Sequence, residues 1–215
     1  YLTMRISARI IEALREVGIE ELNELQRKAI EIILSGKNLL IVAPTGSGKT
    51  EAAVVPILQK IMENKEDKGF QLLYITPLRA LNRDIVKRLS RIISRLNLTI
   101  AVRHGDTLEK ERRKQAKEPP RILLTTPETL QILFLGKKLK KALKNVRYVI
   151  VDEVHELVTS KRGTQLAVAL ERLKEITNFQ LIGLSATVRD SKKVASFLSS
   201  NMDVLIWKEE KKYLY

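Results

Sequence analysis

Two short segments hold residues whose types and spacing could do chemistry. Ala43-Pro44-Thr45-Gly46-Ser47-Gly48-Lys49-Thr50 has the make-up of a phosphate-binding loop, with Ala43 where the strict pattern has glycine. Gly46 and Gly48 let the backbone curl until successive N–H groups face phosphate oxygens, and a helix beginning near Lys49 adds its positive end. The Lys49 ammonium suits the β- and γ-phosphates of a nucleotide, and the Thr50 hydroxyl suits Mg²⁺. The second segment, Asp152-Glu153-Val154-His155, follows the apolar run Tyr148-Val149-Ile150-Val151. An acid at the end of such a strand can hold Mg²⁺ directly or through water, the role read for Asp152. Its neighbour Glu153 is then the carboxylate that orients and deprotonates an attacking water. Taken alone, His155 reads as a histidine with a structural hydrogen bond, and His104 as a polar, exposed loop residue.

These residues need a frame to bring them together. Continuous apolar runs at Leu39–Val42, Leu72–Ile75, Ile100–Val102, Ile122–Leu124, Val149–Val151, Leu181–Leu184 and Val204–Ile206 read as parallel strands covered on both faces. Helical periods lie between them: Leu78, Leu81, Ile85, Leu89, Ile92 and Leu96 share one stripe, and Leu166, Leu170 and Leu173 another. Two more precede the first strand, striped by Ile6, Ile10, Leu14 and Val17 and by Leu22, Leu25, Ala29 and Ile33. Alternation of this kind predicts one doubly wound α/β domain, a mostly parallel sheet with helices on both faces. Ligands bind such sheets beyond the carboxyl ends of the strands, where both chemical segments fall. Asn64-Lys65-Glu66-Asp67-Lys68-Gly69 is expected in a surface loop, and Lys110 to Arg121 in an exposed helix and turn closed by Pro119-Pro120.

The 215 residues carry 39 Lys+Arg against 25 Asp+Glu, a formal net charge of +14. An excess of that size favours a polyanionic partner, of which nucleic acid is the commonest inside cells. From Gly136 to Arg147 there are six bases and no acid. With 44% hydrophobic residues the chain can fill a core, and the lack of cysteine excludes disulfides and thiolate metal sites. His104 and His155 alone make a histidine-dominated metal site an unlooked-for feature. No apolar stretch approaches the roughly 20 residues of a membrane span, and no secretory pattern opens the chain, so a cytoplasmic protein is expected, nucleoid-associated if prokaryotic. Tyr1 is not an initiator residue, which leaves Met4 as a candidate native start.

The order of the segments carries a resemblance. The phosphate loop, Asp152-Glu153-Val154-His155 and Ser185-Ala186-Thr187 occur as in superfamily 2 helicases, and the chain resembles their first RecA-like lobe, a P-loop NTPase domain. Thr76-Pro77-Leu78-Arg79-Ala80-Leu81 is similar to motif Ia, Thr125-Thr126-Pro127-Glu128 to motif Ib, and Gln26 stands where the family reads adenine. Arg103-His104-Gly105-Asp106-Thr107, Asp152 to Leu157, and Lys161-Arg162-Gly163 resemble the Lhr (large helicase-related) group.

The resemblance implies a DExH-type ATP-dependent helicase lobe using ATP and Mg²⁺, with residues 1–207 as one domain, 1–36 holding the adenine-reading helices, and 208–215 a tail or linker. Gln26 would favour ATP over GTP, although Asn23-Glu24-Leu25 stand where the family more often has Thr-Pro. Pro44 to Thr50 would cradle the triphosphate. Arg79, with a helix starting at Pro77-Leu78, would grip the strand backbone, as would Gly105, Asp106, Thr107, Thr126, Pro127 and Glu128. His155, Ser185 and Thr187 would couple nucleotide state to strand binding. A second RecA-like lobe would supply arginines to the γ-phosphate, and too little chain follows Thr187 to encode one. The isolated lobe is therefore expected to turn over ATP poorly and to separate no strands, since such an arginine is worth about 10³–10⁵ in rate. The alternative is an ATP-regulated nucleic-acid-binding module with negligible turnover.

Overall fold

The computed structural model describes residues 5–64, 68–81, 83–158 and 160–208. Residues 65–67 of the loop expected from Asn64 to Gly69, and all but the first residue of the 208–215 segment, lie outside them. Seven strands form one sheet: β1 (Leu39–Val42), β2 (Leu72–Ile75), β3 (Ile100–Arg103), β4 (Ile122–Thr125), β5 (Tyr148–Val151), β6 (Gln180–Ser185) and β7 (Asp203–Ile206). Their order is β3-β4-β2-β5-β6-β1-β7, and every pairing is parallel.

Alternate residues of each inner strand feed two separate cores, because successive side chains point to opposite faces. Leu39, Ile41, Leu72, Tyr74, Ile150 and Ile182 pack under α1 (Ala8–Glu16), α2 (Glu24–Leu34), α3 (Lys49–Glu63) and α4 (Arg83–Arg95). Leu40, Val42, Leu73, Val149, Val151 and Leu181 face the other way. The second layer, in chain order, is α5 (Glu109–Lys117), α6 (Pro127–Leu133), α7 (Lys137–Leu143), α8 (Val154–Leu157), α9 (Lys161–Ile176) and α10 (Ser191–Leu198). The doubly wound expectation holds, with two corrections. β7 is largely exposed and β3 half-buried, because both are edge strands and only the inner five are covered on both faces. The stripe from Leu78 to Leu96 is not one helix. Leu78–Ala80 is a short 3-10 turn, and Leu81, at ψ 54°, breaks from helical geometry before α4 begins at Arg83. Leu78 is thereby left exposed on the turn.

Caps set where the helices enter. Ser7 accepts from the Ile10 N–H, and Asn23 and Gln26 form a reciprocal capping box at the start of α2. Pro127 at the first position of α6 follows Thr126, whose hydroxyl accepts from the Thr129 N–H. Among the described residues no helix is long and apolar enough to cross a membrane.

Candidate functional site

Every candidate residue except Gln26 lies at or just past the carboxyl end of a strand. Along that rim Gly105–Thr107 follow β3, Thr126–Glu128 β4, Pro77 and Arg79 β2, Asp152–His155 β5, Ser185–Thr187 β6 and Pro44–Thr50 β1. A cleft of about 760 Å³ opens there, and Gln26, Thr45, Gly46, Gly48, Lys49, Thr50, Asp152, Glu153 and His155 all line it.

The phosphate loop takes the shape its glycines permit. Gly46 and Gly48 sit at φ 83° and 84°, a left-handed conformation that costs other residues. Gly48 then caps α3, and a Cβ there would come 2.5 Å from Gln26 Nε2. Two α2 residues tie the loop down: Asn23 Nδ2 donates to the Ser47 carbonyl (2.9 Å) and Gln26 Nε2 to the Gly48 carbonyl (3.2 Å). Gln26 Oε1 accepts from the Asn23 N–H, so both ends of its amide are engaged within the protein. Ser47 Oγ is buried with no hydrogen-bond partner. Lys49 Nζ donates to the Ala43 carbonyl (3.1 Å). Burial lowers its pKa, while the charges of Asp152 and Glu153 pull the other way, so ammonium and carboxylates share one field.

Asp152 is buried against a residue the sequence did not single out. The Tyr74 hydroxyl, on β2, donates to Asp152 Oδ2 at 2.6 Å, and the Glu153 N–H donates to Oδ1 at 2.8 Å. Burial raises the Asp152 carboxyl above its ordinary value, and these two hydrogen bonds, Tyr74 first, restrain the rise. Burial, then the Asp152 charge, holds the Tyr74 phenol well above the usual range, which keeps it a donor. Thr50 lines the same cleft, so two hard oxygens, the Thr50 hydroxyl and the Asp152 carboxylate, face one space beside the phosphate loop. Among the described residues no cluster of three or more His, Asp or Glu could cage a metal alone. A pair of oxygen donors beside a phosphate loop fits Mg²⁺, which keeps its waters and takes one or two protein oxygens plus phosphates.

Glu153 sits at φ 51°, an uncommon conformation for a residue with a side chain. It aims the carboxylate into the cleft, where burial and then the charge of Glu156 raise its pKa. Arg79 crosses the cleft rim to pair with Glu153 (3.0 Å) and also with Glu156. The arginine expected to grip the strand and the candidate general base are thus joined to each other. His155 is half-buried, its pKa lowered first by burial, and its Nδ1 accepts from the Ala186 N–H at 3.3 Å. That bond links the Asp152 segment to the one after β6 through Ala186. Ser185 and Thr187 bond each other in a local turn.

The β3 and β4 ends lie side by side, joined where Thr125 Oγ1 donates to the Arg103 carbonyl. Their candidates are spent largely on shaping this rim. Thr126 and Pro127 start α6, and Glu128 pairs with Arg162 on α9. His104 is half-buried rather than exposed, because its Nδ1 accepts from the Asp106 N–H and its backbone closes a turn with Thr107. Arg112 donates to the His104, Gly105 and Thr107 carbonyls from beneath.

Val17, Ile19, Glu51, Arg88 and Glu156 also line the cleft and carried no chemical signal in the sequence. Val17 is in phase with the core stripe of α1, so periodicity could not mark it as a wall. Glu51 is buried and paired with Arg88 across α3 and α4 at 2.9 Å, a pairing that only the fold creates.

The DEAD/DEAH box helicase family model matches residues 23–195. The chain belongs to the DEAD/DEAH box helicase family. It is 43% identical over 192 residues to the ATP-dependent helicase Lhr-Core of Methanocaldococcus jannaschii, covering 82% of this chain and 23% of that protein. It is 34% identical to the ATP-dependent DNA helicase Hel308 of the same organism, over 96% of this chain and 17% of the relative. The structure of the Mycobacterium smegmatis helicase Lhr bound to ssDNA and AMP-PNP superposes with a TM-score of 0.85 at 36% identity, covering 97% of this chain and 28% of that one. The all-parallel sheet is therefore the RecA-like fold of these helicases, and the likeness to the Lhr group extends over most of the chain. This chain spans about a quarter of the Lhr-type relatives it matches.

Proposed function

We propose that this chain is the first RecA-like motor lobe of an ATP-dependent nucleic-acid helicase or translocase, with residues 1–207 as the lobe and 208–215 as a tail or linker toward a second one. One observation carries the reading: Lys49, Thr50, Asp152 and Glu153, up to about 100 residues apart in sequence, meet around a single cleft at the carboxyl rim of the sheet. The curled Gly46–Gly48 backbone supplies the cradle for a triphosphate. Lys49 binds the β- and γ-phosphates. Thr50 and Asp152 would hold Mg²⁺, which would offset the phosphate charge when bound. Glu153 accepts the proton of the attacking water, and its raised pKa makes it a better base than an exposed glutamate. Gln26 would read adenine from α2 with the second N–H and second lone pair of its amide, the others being held by Gly48 and Asn23, and with Val17 and Ile19 as apolar walls for the base.

The nucleic-acid strand would run along the same rim, over Pro77, Arg79, Gly105–Thr107 and Thr126–Glu128, contacting backbone rather than bases. DNA is favoured over RNA because Hel308 and the Lhr structure, at 34% and 36% identity, are named with DNA. His155, through its bond to Ala186, would pass the nucleotide state to Ser185 and Thr187. Glu153→Gln tests the reading in the longer protein that carries this chain. Strand-stimulated ATP turnover falls by about 10²–10⁴-fold while nucleotide binding persists. Unchanged turnover would return the chain to the nucleotide-regulated binding module.

A further inference from the structure

α7 is assembled against the rules that stabilise helices. Lys137 and Lys138 occupy its first two positions, where a positive charge opposes the helix dipole, and Gly136 provides no side-chain cap. Lys137 and Lys141, and Lys140 and Lys144, lie four residues apart, the spacing at which like charges repel along a helix face. All five lysines, and Arg147 after them, are exposed. Among the described residues no ion pair reaches any of the five lysines. Other surface helices of this chain mix their charges: Glu24 with Lys28 on α2, Glu171 with Lys174 on α9. A merely solvated face looks like those. What keeps α7 helical is its inner side, where Leu139, Ala142 and Leu143 are buried in the second core. A local pattern that works against its own fold and persists on the surface points to function.

Its position separates it from the nucleotide cleft. α7 packs beside α5, which carries five bases against two acids. Both helices finish near the amino ends of the strands: α5 leads into β4, and Ala142 lies against Gly69, just ahead of β2. Below α7 a recess of about 430 Å³ is lined by Lys144, Asn145, Arg147, Gln71 and Asn178. We propose that the α5–α7 face is a second polyanion-binding surface, which holds the phosphodiester backbone of nucleic acid on the side of the lobe remote from the ATP cleft. It goes beyond the motor reading and rests on it only in the choice of nucleic acid as the polyanion. The charge densities match. Lys137 to Lys144 spans about 10 Å at 1.5 Å per residue, over which a duplex presents about six phosphates. Lysines are mobile point charges without Arg's planar fork, suited to following a backbone without reading bases.

The test replaces Lys137, Lys140, Lys141 and Lys144 together by glutamine and follows binding of fluorescent single-stranded and duplex DNA across about 50–200 mM salt. The expected result is weaker binding, with the slope of log K against log salt reduced by about 3, at roughly 0.7–0.9 per phosphate contact. ATP binding stays unchanged, and the thermal midpoint is equal or higher, because repulsion within α7 has been relieved. An unchanged slope in the variant, with the unsubstituted protein binding DNA, overturns the inference and leaves the motor reading standing. A lowered midpoint overturns it as well, since the lysines would then serve the fold. Retained DNA binding with lost binding to poly-glutamate would overturn it in favour of an acidic protein partner. If the unsubstituted protein binds no nucleic acid, the motor reading falls together with it.

Discussion

The hydrogen bond from Tyr74 to Asp152 gives the sharpest test of how the site is built. Tyr74→Phe removes one oxygen from a side chain that is 1% exposed and leaves the ring's packing intact. The lost interaction is a 2.6 Å bond to a buried carboxylate. Hydrogen bonds to charged groups contribute about 1.5–3 kcal/mol, more than neutral ones. For a domain of this size each kcal/mol moves the melting temperature by about 2–4 °C, so a fall of roughly 3–12 °C is expected. The same bond fixes the direction of Asp152, and loss of such a supporting partner weakens metal affinity by about 10–100-fold. Circular dichroism melts measure the first effect, and a Mg²⁺ titration of nucleotide binding measures the second. In an Asp152→Asn background Tyr74→Phe should cost less, because the charge that strengthens the bond is gone. A variant that melts with the unsubstituted protein and keeps its Mg²⁺ dependence would show that Tyr74 neither supports nor orients Asp152.

Three further outcomes are expected. Arg79→Ala releases Glu153 and Glu156 from their shared guanidinium, so ATP turnover without nucleic acid rises by roughly two- to fivefold while strand stimulation shrinks; a steady-state ATPase assay that shows no rise would refute a restraining role. Gly163→Ala places a methyl group onto the Leu157 carbonyl, where backbone must yield. It should lower stability by about 1–3 kcal/mol or more in urea unfolding. Gly48→Ala forces a left-handed residue and displaces the Gln26 amide, and should weaken nucleotide binding in an equilibrium titration without abolishing the fold.

Much of this protein was determined by local sequence. The seven strands are continuous apolar runs and the phosphate loop has its glycines at the two left-handed positions, so both follow from short-range chemistry. The rule that ligands sit beyond the carboxyl ends of parallel strands was enough to gather Lys49, Asp152 and Glu153 on one rim. Side-chain pairing was decided only by the fold. Tyr74 reads as a core aromatic in β2, and it meets Asp152 because β2 and β5 are neighbours in register. Arg79 reads as a strand-binding residue from its motif, yet it lies against Glu153 because a 3-10 turn, not a helix, carries it over the cleft. The edge strands β3 and β7 look like covered strands in sequence, and only the sheet order leaves them open. Local pattern specifies which backbone a segment adopts, because propensity and periodicity act over a few residues. Which charges then face each other depends on contacts between segments far apart in the chain, and no spacing records those.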